Sequence, residues 1–112
     1  DAFREWSAPD AVLDRDLLLT NVMIYWLNGT AASAARYYRE GAASWGSSDT
    51  PSTVPTAVAV LPHDIGSPVR RIAERTTTIT RWTELADGGH FGALEQPVAI
   101  VDDLRAALRP HR

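Results

Sequence analysis

From residue 16 to 27 the chain reads DLLLTNVMIYWL, with apolar side chains at nearly every step. A surface helix carries one apolar stripe, whereas this run is apolar on all sides and predicts a mostly buried helix. Asn28-Gly29 ends it, and Gly29 suits the left-handed residue that closes many helices. Thr30 is placed to cap a second helix over 31–40, AASAARYYRE. There Ala31, Ala34 and Ala35 share a face with Tyr38, so the tyrosine projects from a row of small residues. Residues 1–13 read as irregular, turning around Pro9, and the stretch 41–53, GAASWGSSDTPST, reads as a loop.

After Pro55 the period changes. TAVAVLP (56–62) is a short valine-rich run between prolines, as in a buried strand. SPVRRIAER (67–75) has proline in its first turn and an apolar stripe at Val69, Ile72 and Ala73, predicting a helix. TTTITRWTEL (76–85) is rich in β-branched residues and predicts a second strand. Pro97 opens a last amphipathic helix, 97–108, with Val98, Val101, Leu104 and Leu108 on one side. Strand, helix, strand, loop, helix is α/β layering on a parallel sheet. Two parallel strands cannot cover their own faces and edges, so the pattern is that of part of a larger domain. The chain opens on Asp1, and its one methionine, Met23, lies inside a helical run. The expectation is therefore a segment that packs against an upstream portion of the same protein.

Composition narrows the function. The 112 residues are 45% apolar and 22% charged, as in a globular domain. All basic residues are arginines scattered along the chain, and the net charge is −3, so no basic stripe invites nucleic acid. There is no cysteine, which excludes disulfides and thiolate chemistry. No apolar run approaches the roughly 18 residues of a membrane span, and a cytoplasmic location is expected. No cofactor or metal is expected either, since histidines and acids do not converge in number.

The candidate chemistry lies at the strand ends, where open α/β sheets bind their ligands. In DGGHFGALEQP, His90 follows the second strand behind Gly88-Gly89, a pair that allows a sharp turn and close approach. Asp64 follows the first strand in LPHD. Neighbouring parallel strands bring both loops to one edge, where a carboxylate can fix the tautomer of a general base. The alternatives are that Asp64 caps the helix near Pro68 and that His90 is a solvated turn residue. His63 points to the other side of the strand end, and His111 lies in a solvated tail. Glu95, Asp102 and Asp103 read as exposed helix surface or caps. Trp26, Trp45 and Trp82 read as core or pocket wall.

These stretches together carry a resemblance. LLLTNVMIYWLNGTAASAARYYRE, PTAVAVLPHDIGSPVRRIAER and GGHFGALEQP resemble the C-terminal portion of α/β-hydrolase-fold epoxide hydrolases, the microsomal and juvenile-hormone type with its bacterial relatives. The similarity runs from about Trp6 to Arg109 in the family's order. It implies that residues 1–50 are the end of a helical lid, and 51–112 the last strands and helices of the core. It also implies His90 as general base, Asp64 as the acid that orients it, and Tyr38 as one of two lid tyrosines that bond the epoxide oxygen. The implied reaction is hydrolysis of an epoxide to a vicinal diol through an aspartyl ester, with the substrate and water as small-molecule partners. Two departures are minor: Asp64 stands where the mammalian microsomal type has glutamate, and Gln96 where an acid is common. A larger one is the absence of any G-x-D-x-G elbow, so the nucleophile, oxyanion loop and second tyrosine are expected upstream. A haloalkane dehalogenase or other hydrolase of the same fold is an alternative, which RYYRE disfavours. So is a non-catalytic relative that kept the pocket. The sequence leaves oligomerisation open.

Overall fold

The computed structural model describes residues 2–42 and 50–111. Its elements run α1 (Ala2–Glu5), α2 (Arg15–Leu27), α3 (Ala31–Gly41), β1 (Ser52–Val60), α4 (Arg70–Ala73), β2 (Thr77–Glu84), α5 (Gly92–Glu95) and α6 (Pro97–Leu108), closing on a 3-10 turn at Arg109–His111. Two compact units result: a helical one, Leu13–Asp49, and a strand-bearing one made of Asp1–Val12 with Thr50–Arg112. The N-terminal stretch Asp1–Val12 makes its contacts with the strand-bearing residues. It is not wholly irregular, since α1 forms there and the Ser7 hydroxyl closes it onto the Phe3 carbonyl at 2.6 Å.

In the helical unit, α2 starts where the Asp14 carboxylate accepts the Leu17 N–H at 2.8 Å, satisfying one of the donors that every helix start leaves over. It stops at Gly29, whose φ of 62° is left-handed. The Gly29 N–H reaches the Trp26 carbonyl at 3.2 Å and the Thr30 N–H the Tyr25 carbonyl at 3.0 Å, the two bonds of a Schellman cap. Thr30 occupies the N-cap position of α3, but its side chain makes no capping bond. The expectation of a buried α2 is corrected: Trp26 is 76% exposed and Leu27 75%. A helix apolar on all sides needs neighbours all round, and among the described residues this unit supplies one other helix, α3.

In the strand unit, β1 and β2 pair in parallel, Val58 beside Trp82 and Val60 beside Glu84. The register slips on either side of Thr56, next to Pro55, which has no N–H to give a ladder. α4 is shorter than the nine-residue pattern predicts. Val69 is extended and exposed, and Ile72 inside α4 is exposed too, so no packed face repays further turns. Tight bonds from Arg75 to Ile72 and from Thr76 to Ala73 then lead the chain into β2. No described helix is long and apolar enough to cross a membrane.

α6 is tied to the sheet by a buried acid, where exposed surface was expected for Asp102 and Asp103. Asp102 is exposed, but Asp103 is only 8% exposed. Its Oδ1 accepts from Arg81 Nε at 2.8 Å and from the Thr83 hydroxyl at 2.7 Å. Arg81 and Thr83 are two residues apart on β2 and so share a face. Helical spacing alone could not reveal that the second acid of the pair turns inward onto them. Burial raises the pKa of the Asp103 carboxyl, but the bonds from Thr83 and Arg81 and the guanidinium charge outweigh it and hold the pKa below the ordinary value. A depressed carboxyl stabilises the fold above the unfolded-state pKa, and this is lost as pH falls through the folded one. Asp103→Asn should therefore cost about 1.5–3 kcal/mol, the range for hydrogen bonds to a charged group. In thermal melts the gap between wild type and variant should be constant near neutral pH and close only below about pH 4, near the ordinary Asp value.

Candidate active site

The ladder does not stop at the ends of the two strands. The Leu85 N–H bonds the Val60 carbonyl at 2.8 Å, and the His63 N–H bonds the Gly88 carbonyl at 3.1 Å. His63 and Gly89 then form a further parallel bridge. The next residue on each side is Asp64 and His90, so the register itself sets these two beside one another. His90 Nδ1 lies 2.9 Å from Asp64 Oδ1. The same oxygen accepts the Ile65 N–H at 2.7 Å. An ionised carboxylate only accepts, so the ring proton sits on Nδ1 and Nε2 is left as the basic nitrogen. Asp64 caps no helix, for α4 begins at Arg70 behind Val69. Both side chains are about one-third exposed, at 34% for Asp64 and 37% for His90.

The loop that carries His90 is held from behind. Gly88 has a φ of 108°, and a β-carbon there would meet Leu61 Cδ2 at 2.6 Å. At Gly89 a β-carbon would lie 2.6 Å from the Ala8 nitrogen and the Trp6 oxygen, so only glycine admits the N-terminal segment so closely. The His90 N–H donates to the Trp6 carbonyl at 2.8 Å. The rings of Trp6 and Phe91 stand edge-on to the imidazole, each with centroids 5.2 Å away, and Phe3 lies tilted against Phe91 at 4.4 Å.

Glu95 is also corrected, from surface residue to part of this support. Oε2 accepts the N–H groups of Ala8 and Gly89, both at 2.8 Å, and Oε1 that of Phe91 at 3.0 Å. The available signal was an acid one turn beyond the histidine, in a stretch where α5 folds back on the loop. Trp6 gave no signal, because it acts through its carbonyl.

The remaining candidates lie elsewhere. His63 Nε2 is 3.7 Å from Asp87 Oδ1, on the flank of the loop. Tyr38 belongs to the helical unit, where it is exposed and its ring meets Tyr37 edge-on at 6.0 Å. Trp26 is exposed and Trp82 donates toward Glu84 at 3.4 Å; Trp45 and the side chain of His111 lie outside the described residues. Among the described residues no group of three His, Asp or Glu could hold a metal ion. An open concavity of about 470 Å³ runs along α2, lined by Leu19, Met23, Ile24 and Leu27 among others.

No family model matches the chain. Individual proteins do. A Stigmatella aurantiaca protein, provisionally named an epoxide hydrolase, is 37% identical over all of this chain and 26% of its own length. Juvenile hormone epoxide hydrolase 2 of Ctenocephalides felis is 37% identical over 82% of the chain and 21% of its own length. Among solved structures, juvenile hormone epoxide hydrolase of the silkworm Bombyx mori superposes with a TM-score of 0.81 at 26% identity, over 96% of this chain and 30% of that one. The Aspergillus niger epoxide hydrolase gives 0.83 at 26% identity, over 97% and 28%. The chain therefore spans about a quarter of the length of the relatives it matches. With its parallel strands, flanking helices and strand-end His–Asp pair, it is homologous to the C-terminal portion of the α/β-hydrolase-fold epoxide hydrolases.

Proposed function

We propose that this segment serves an epoxide hydrolase, supplying the general base, its orienting acid and one lid tyrosine. The observation that carries the reading is the 2.9 Å contact between His90 Nδ1 and Asp64 at the carboxyl edge of the sheet. In the reaction, an aspartate outside these 112 residues attacks an epoxide carbon. The carbon–oxygen bond opens, and Tyr38 with a second tyrosine donates to the alkoxide oxygen. Nε2 of His90 then takes a proton from water as its oxygen adds to the ester carbonyl. As the adduct collapses, the imidazolium proton and the proton of the added hydroxyl pass to the two diol oxygens. This releases the vicinal diol and restores the neutral imidazole and the aspartate carboxylate. Asp64 stabilises the imidazolium throughout by keeping its bond to Nδ1.

Each role has its own kinetic mark in the protein that carries nucleophile and segment together. His90→Gln should leave ring opening intact and slow ester hydrolysis by roughly 10²–10⁴-fold, the usual yield of general-base catalysis. Mass spectrometry after mixing with an epoxide should then find the ester accumulated; unchanged turnover would remove His90 from the mechanism. Tyr38→Phe should show the opposite partition, slowing ring opening by up to about 10²–10³-fold, as loss of one oxyanion donor does. A variant slowed only in hydrolysis would exclude Tyr38 as that donor. Residues 1–112 alone should form no diol, since a base without a nucleophile has no ester to cleave. Turnover of a simple epoxide by that polypeptide would overturn the division of roles.

A further inference from the structure

We propose that Glu95 is a positioning residue for His90, holding the backbone on both sides of the base so that Nε2 meets its water. This rests on the reading of His90 as general base. The three consecutive amides at the centre of the loop are all engaged: Gly89 N–H by Glu95 Oε2, His90 N–H by the Trp6 carbonyl, and Phe91 N–H by Glu95 Oε1. The middle acceptor depends on the same acid, because Glu95 Oε2 also takes the Ala8 N–H, two residues beyond Trp6. One carboxylate thus fixes both flanks of His90 and the segment that grips its centre.

A carboxylate suits this place for a physical reason. It accepts at both oxygens and donates nothing, and bonds to an ionised acceptor are shorter and stronger than neutral ones. Glutamine would turn its NH₂ toward one of the two sides and set donor against donor. Asp64 cannot substitute for this function, because it restrains the ring and not the Cα from which the ring projects. With Asp64 alone, His90 could keep the Nδ1 bond while the loop shifts and carries Nε2 off line.

The test uses the protein that contains this segment together with its nucleophile. Glu95→Gln should slow ester hydrolysis by about 10²-fold, the cost of roughly 1 Å of misplacement, and leave ring opening unchanged, so the ester accumulates. If that variant does not fold, Glu95→Asp carries the same expectation: it keeps the charge but loses a methylene of reach. A lower melting temperature with wild-type rates of both steps would mean a merely structural role and would overturn the proposal. His90→Gln, run in parallel, separates the two readings. If it blocks hydrolysis while Glu95→Gln does not slow it, positioning by Glu95 fails and His90 stands as base. If His90→Gln turns over normally, the base assignment fails, and amide hydrogen exchange decides on Glu95. Loss of protection at Gly89 and Phe91 in Glu95→Gln would support the anchoring, and unchanged protection would overturn it.

Discussion

The candidate site depends on one constraint, the parallel register of β1 and β2 carried past their ends to the His63–Gly89 bridge. Side chains alternate along each strand, so a slip of one residue would turn Asp64 or His90 to the opposite face. The bonds from Leu85 to Val60 and from His63 to Gly88 prevent that slip just where the chain leaves the sheet. Gly88 and Gly89 serve the same end. One supplies the left-handed turn and the other removes the β-carbon that would push away Trp6 and Ala8.

How far the sequence disclosed this depended on the range of each interaction. The identities of α2, α3, α4, α6 and both strands followed from local period and breakers, with Gly29 and Pro97 marking ends that backbone chemistry fixes within a few residues, whereas the single turns α1 and α5 were too short to carry a period. The Asp64–His90 pairing was legible because two successive strands with a helical crossover are adjacent and parallel, which brings their carboxyl ends to one edge. Asp103 was misread because its donors lie far away in sequence, Arg81 at 22 residues. Glu95 has two local donors, Gly89 and Phe91, but the third, Ala8, is 87 residues away. A helical pattern reports that a position is polar, but not that a strand or a distant backbone segment will present donors to it. The burial of α2 was misjudged for a related reason. Composition records how much apolar surface must be covered, and says nothing of whether the covering layers lie within these residues.

The exposed apolar surface fits the size relation to the homologues. Val22, Ile24, Trp26 and Leu27 on α2, and Val98 and Leu104 on α6, are open to solvent. In an α/β fold such faces are where further strands and helices pack. These 112 residues span about a quarter of the length of the relatives they match.

This balance also governs how rigid the site can be. Ala8 is the one hydrophobic side chain buried outright among the described residues, so little apolar burial holds the His90 loop. Charge-assisted hydrogen bonds hold it instead: Asp64 on the ring, Glu95 on the backbone, and Asp103 on the strand that leads to it. Such bonds are weakened by competing water wherever the groups are exposed, and both Asp64 and His90 are about one-third exposed. A layer over the strand ends would expel that water and strengthen the Asp64–His90 contact without moving an atom of the pair. Covering at the strand ends would thus stiffen the base, which links packing around the site to the geometry at Nε2.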